Sequence, residues 1–209
     1  MAGIRALIGK KLGMTQVFGE DGNKIPVTVL EVGPCVVLQK KTVDKEGYNA
    51  LQLGYWEKPL KKMNRPMRGH IEKAGVDVGF RFIKEVPVDD PDQFDLGQKL
   101  TLSDIEESQL VDVVGTTKGR GFAGTVKRHG FSRGPMAHGS KHHRAVGSTG
   151  MSAFPSRVIK GKKMPGRMGG KRKTIKNSLI VDIRPEENIL LVKGGVAGAI
   201  NQMVMVYFK

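Results

Sequence analysis

Short runs of β-branched and aliphatic residues recur along the first 114 residues, divided by turn-forming residues. Residues 24–32 place Val27, Val29 and Glu31 on one face and Thr28, Leu30 and Val32 on the other, the two-residue period of a strand. Before them, Glu20-Asp21-Gly22-Asn23 is a turn that follows a strand ending at Val17-Phe18. After them, Gly33-Pro34 breaks the run and residues 35–40 make the next strand. Residues 49–55 align Leu51, Leu53 and Tyr55 on one face, and further strands are expected at 80–86, 99–102 and 110–114. Residues 56–79 break this rhythm. Lys58, Lys61, Lys62, Arg65 and Arg68 are scattered among Pro59, Pro66, Met63 and Met67, which predicts a loop with one short helical piece at 70–74.

Strand chemistry stops after residue 114 and resumes at 179–184. Pro185-Glu186-Glu187-Asn188 is a turn, residues 189–193 return as a strand, and 203–208 form the last one. These final strands need partners, and the first 112 residues supply them. Strands at short spacing with turns between them predict an all-β sandwich or barrel, not a βαβ array. One β-domain is therefore expected from residues 1–112 together with 179–209, with 56–79 as an excursion and 113–178 as an insertion.

Charge changes the picture of that insertion. No Asp or Glu occurs from Val113 to Val181. Between Val113 and Ser178 there are 16 Lys or Arg, 13 Gly, four His and no Leu. Taking those 16 from the chain's 35 basic residues leaves 19 against 20 acids, so the net charge of +15 sits almost wholly in the insertion. Leu, Ile, Val and Phe number ten of its 66 residues, too few to offset the entropy of ordering the backbone. The glycines and three prolines argue against long helices within it. Such a segment orders only against something that supplies negative charge and contact surface. A sequence pI near 10.0 leaves RNA, DNA and an anionic membrane surface as partners.

The local texture favours nucleic acid. Gly119-Arg120-Gly121, Lys160-Gly161-Lys162-Lys163 and Gly170-Lys171-Arg172-Lys173 alternate cations with residues that let backbone approach phosphate. His138, His142 and His143 stand with Lys141 and Arg144, planar donors suited to irregular RNA, and Met136, Met151, Phe154, Met164 and Met168 fill gaps against bases.

Sharper chemistry finds less support. Gly119-Arg120-Gly121-Phe122-Ala123-Gly124 fits G-x-G-x-x-G, but a dinucleotide site needs an acid about 20 residues on, and none precedes Asp182. The catalytic-loop and D-F-G sequences of a kinase are absent. The three histidines match metal-ligand spacing, yet no second ligand pair accompanies them and the neighbouring cations oppose a metal. Neither a nucleophile elbow nor paired acids stand in the insertion, so catalysis and cofactors are not expected. No apolar run reaches the roughly 20 residues of a membrane span, and the N-terminal Met1 to Ile8 is too short for a secretory signal. The single Cys35 reads as a small buried hydrophobe in a reducing compartment.

Several blocks resemble a known family. Ile8-Gly9-Lys10-Lys11-Leu12-Gly13-Met14-Thr15-Gln16 followed by Ile25-Pro26-Val27-Thr28-Val29 is similar to the start of the L-three family of bacterial large-subunit ribosomal proteins. The run from Asp112 through Gly115-Thr116-Thr117-Lys118-Gly119-Arg120-Gly121-Phe122-Ala123-Gly124-Thr125-Val126-Lys127-Arg128 resembles its most characteristic stretch. Lys160-Gly161-Lys162-Lys163-Met164-Pro165-Gly166-Arg167-Met168-Gly169 and Ile189-Leu190-Leu191-Val192-Lys193-Gly194 match later blocks, in the right order. Two departures are that Gly150-Met151-Ser152-Ala153-Phe154 lacks the glutamine some members carry, and that Ala197 stands where proline is common.

The resemblance implies a mainly β protein: a translation-protein-type β-barrel with a long, largely irregular basic extension inserted, its tip at residues 144–155. It implies a cytoplasmic, non-enzymatic constituent of the large ribosomal subunit that binds 23S rRNA, supports early assembly and sends the tip towards the peptidyl transferase centre. Neighbouring ribosomal proteins are further partners; no membrane, small-molecule substrate, cofactor or metal is implied. The expected stem contacts to RNA are Lys118, Arg120, Lys127, Arg128, Arg157, Lys160, Lys162, Lys163 and Arg167. Arg133, Lys141, His142, His143, Arg144, Lys171, Arg172 and Lys173 join them, with Lys10 and Lys11 from the first basic pair. The rival reading is a free-standing protein that compacts or chaperones RNA or DNA.

Overall fold

A computed structural model describes residues 4–104 and 109–209. The protein is mainly β. In chain order the elements are β1 (Ala6–Phe18), β2 (Lys24–Val32), β3 (Cys35–Lys41), α1 (Val43–Glu46), β4 (Ala50–Lys58), α2 (Arg65–Glu72), β5 (Gly79–Pro87), β6 (Lys99–Leu100) and β7 (Leu110–Thr116). They continue with β8 (Phe122–Ala123), α3 (Thr125–His129), β9 (Gly166–Arg167), β10 (Arg172–Arg184), β11 (Ile189–Lys193) and β12 (Met203–Phe208). The chain divides into two compact units, one of Met1–Thr117 with Arg172–Lys209 and one of Lys118–Lys171.

In the first unit six antiparallel strands close a ring in the order β1-β12-β7-β10-β11-β2, with β2 paired back to β1. The register puts Ile8 opposite Met205, Val113 opposite Val206, and Leu190 opposite Leu30. Alternation then sends Leu7, Leu30, Val113, Leu190, Val204 and Val206 to one face, while Ile8 is buried on the opposite face of β1; none of them has any exposure. Each such side chain contributes about 1.5–3 kcal/mol by leaving water. Close packing also sets backbone identity: a Cβ at Gly9 would run into the Glu31 carbonyl, and one at Gly115 would lie 2.5 Å from the Ala197 carbonyl.

A second sheet in the order β5-β4-β3-β6 lies in the same unit. Here α2 seats the fully buried Ile71 with Val36, Leu38, Ala74 and Phe80. Cys35 is buried and its thiol donates to the Ile8 carbonyl at 3.4 Å; burial pushes its pKa up to about 12, so it stays a protonated hydrophobe.

Four expectations need correction. The helix expected at 70–74 lies at Arg65–Glu72, because Pro66 falls in the first turn, where a missing N–H costs nothing. Strand β4 runs on through Lys58, into the stretch expected as loop, and the strand expected at 99–102 is only Lys99–Leu100 before a 3-10 turn, Leu102–Asp104. Strand structure returns at Arg172, ahead of residue 179, because β10 pairs Arg172 with Thr116 and Lys173 with Gly115. Pairing with β7 carries a polar stretch that has no apolar alternation of its own.

Candidate nucleic-acid interface

The unit Lys118–Lys171 has few apolar side chains to fold around, and its order comes from backbone bonds and close glycine contacts. Among its residues only Ala123 and Thr125 are buried. At its base β8 pairs with β9, Phe122 opposite Arg167. The Arg120 amide donates to the Met168 carbonyl at 2.9 Å, and the Met168 amide donates to Gly121 at 2.8 Å. Gly169 makes this closure possible: its φ is +72°, and a Cβ there would collide with the Lys118 carbonyl.

The short helix α3 ends at Gly130, whose left-handed backbone (φ 71°) lets its amide bond back to Val126. From α3, Arg128 donates to the Met164 carbonyl at 2.6 Å, and the His129 ring nitrogen Nε2 donates to the same oxygen at 3.1 Å. A Cβ on Gly166 would lie 2.7 Å from the Arg128 guanidinium, so glycine leaves the space in which that side chain lies. Further along, the Gly134 amide donates to the His143 carbonyl at 3.0 Å and His143 Nδ1 donates to Pro135 at 3.0 Å. Any side chain at Gly134 would clash with the His142 carbonyl. Residues 147–158 surround an open hollow of about 520 Å³ lined by Ser148, Thr149, Met151, Ser152, Ser156 and Arg157. Beside it Phe154 is 88% exposed and Met151 68%.

This framework brings most of the expected residues together in one unit. Lys118, Arg120, Lys127, Arg133, Lys141, His142, Arg144, Arg157, Lys160, Lys162, Lys163, Arg167 and Lys171 are exposed there. Arg128 and His143 are half-buried and engaged with carbonyls, so they shape the unit as well as charge it. The unit contains no Asp or Glu, so its cations have no carboxylate within it. Mutual repulsion of this kind is relieved by an external polyanion.

Four expected residues lie elsewhere. Arg172 and Lys173 are exposed on β10 in the ring-bearing unit. Lys11 is only 9% exposed and donates to the Val196 carbonyl at 2.8 Å. Lys10 pairs with Glu31 at 2.9 Å. Sequence reasoning also missed the Met164 carbonyl as the anchor of α3. No side-chain pattern announces a backbone acceptor.

Comparison with known proteins adds an independent line. The family description "Ribosomal protein L3", the same family as that of the resemblance above, matches residues 90–189. Large ribosomal subunit protein uL3 of Syntrophus aciditrophicus is 54% identical over 198 residues, covering 94% of this chain and 90% of that protein. Its counterpart in Syntrophobacter fumaroxidans is 48% identical over 203 residues, with 97% and 96% covered. That of Thermotoga maritima is 50% identical over 204 residues, with the same shares.

Proposed function

Since the chain belongs to the family of large ribosomal subunit protein uL3, whose members are structural components of that subunit, we propose that it binds 23S rRNA directly through the unit Lys118–Lys171. The observation that carries this is a unit with 13 Lys or Arg, no acid and two buried residues. Its exposed cations meet phosphates, and the counterions released on contact supply most of the affinity. The backbone bonds at Met164, Met168 and His143 hold the loops open so that glycine-flanked backbone lies close to the RNA. His142 and Arg144 supply planar groups for stacking on unpaired bases.

In this reading the ring is the translation-protein-type barrel of the family, and residues 113–178 are its basic extension. The tip, residues 144–155, lies towards the peptidyl transferase centre and positions RNA there without supplying chemistry. The protein acts early in assembly of the cytoplasmic large subunit and also meets neighbouring ribosomal proteins. Comigration of the tagged chain with large subunits on a sucrose gradient tests this. A chain lacking residues 134–155 is expected to keep the circular dichroism of the ring while incorporating poorly. Sedimentation of the intact chain away from subunits contradicts the reading.

A further inference from the structure

The single tryptophan of the chain, Trp56, sits on β4 in an unusual setting. Its backbone is left-handed (φ 64°), a conformation that a bulky side chain adopts only where the surroundings impose it. Its ring, half-buried against the main core, lies 6.0 Å from the Phe82 ring at 53°. Two cations stand over the indole. Lys10 Nζ stands 4.9 Å from its centroid and is neutralised by Glu31. The Arg81 guanidinium stands 4.5 Å from the same centroid and 5.5 Å from that of Phe82.

Arg81 differs from Lys10 in one respect that matters. It is exposed, and among the described residues no carboxylate or carbonyl takes up its donors. An exposed cation–π contact contributes less than the left-handed backbone of Trp56 costs, so the stack alone does not account for this geometry. A planar guanidinium held against an aromatic ring keeps its other face for stacking and its N–H fork for two oxygens. Those are the needs of an unpaired nucleobase and its phosphate. A carboxylate of an acidic protein would use the fork and leave the open face unused.

We infer that the Trp56–Arg81 stack is a second RNA-binding site, carried by the ring-bearing unit, that takes an unpaired base on Arg81 and the adjoining phosphate on its fork. The inference rests on the proposed rRNA binding and extends it to residues outside the basic unit. Lys10 belongs to this site as the second cation over Trp56, 4.9 Å from its centroid.

Trp56 reports on its own environment, since the chain has no other tryptophan. The full-length protein is titrated with a short single-stranded RNA and with an rRNA fragment while indole emission and filter retention are both followed. Saturable quenching by the single-stranded RNA is expected. Arg81→Ala is expected to weaken that quenching interaction about tenfold, the loss typical of one stacked base, with circular dichroism unchanged. Arg81→Lys is expected to recover little, because it restores charge without the fork or the plane. Retention of RNA on the filter with indole emission unchanged, or equal quenching by Arg81→Ala, overturns the site while leaving the proposed function standing. Quenching by polyglutamate but not by RNA overturns it in favour of an acidic protein partner. Absence of any retention overturns both.

Discussion

The two units solve the problem of order in opposite ways. In the ring-bearing unit Leu7, Ile8, Leu30 and Leu190 are fully buried, and several cations pair with acids, among them Lys10 with Glu31, Lys41 with Glu85 and Lys209 with Asp112. In Lys118–Lys171 the buried set shrinks to Ala123 and Thr125, and the acids disappear. The first carries its own stabilisation in apolar area removed from water; the second is wired by backbone bonds and contains no acid. The difference separates order that comes from apolar burial from order that comes from backbone bonds and glycine contacts. A positive segment without acids is costly alone and advantageous against phosphate.

The sharpest way to break this contrast is to truncate one apolar side chain in each unit, buried in the ring and exposed in the basic unit. Leu30→Ala in the ring core is expected to cost about 2–5 kcal/mol in chemical denaturation. Phe154→Ala, at a side chain 88% exposed, is expected to stay within about 0.5 kcal/mol. Similar losses for the two would erase the distinction.

A smaller effect is expected where the basic unit depends on glycine. Gly169→Val puts a branched side chain on a φ of +72° and into the Lys118 carbonyl, and so should break the Arg120–Met168 backbone bonds. Faster hydrogen exchange at the Met168 amide with an unchanged global midpoint is the expected result. A falling midpoint would mean that the two units do not unfold separately.

The smallest effect concerns the matched charges. The Asn177 amide, donating to Asp112 at 2.7 Å, and then the Lys209 amine lower the Asp112 pKa. Lys41 and then Tyr48 do the same for Glu85. A carboxyl whose folded pKa is depressed contributes stability above its unfolded pKa and loses it as pH falls through the folded value. Asp112→Asn should therefore lower the melting temperature slightly at neutral pH, and the gap to wild type should close below the usual carboxylate range. A gap independent of pH would contradict that origin.

Much of the fold was legible in the sequence because alternation and turns coincide: Lys24–Val32, Ile189–Lys193 and Met203–Phe208 lie where period-two patterning puts them. Patterning failed where tertiary pairing or position overrides composition. Pro66 reads as a break but starts a helix, and Arg172 to Ile175 reads as charged coil but pairs with β7. Of the candidate site, the cations were legible as a class, since their charge is visible residue by residue. Their individual fates were not. Lys11 ends on the Val196 carbonyl and Lys10 beside Trp56 of the second sheet, because tertiary packing brings residues distant in sequence to them. Arg81 carried no signal in one dimension; only its stacking on Trp56 sets it apart.

The proposal that the exposed cations of Lys118–Lys171 meet phosphate is tested most directly by the salt dependence of rRNA binding. If about ten of them contact phosphate, the logarithm of the binding constant should fall with the logarithm of salt concentration at a slope of about −7 to −9. A slope near zero in a filter-binding titration of the full chain on an rRNA fragment would contradict it.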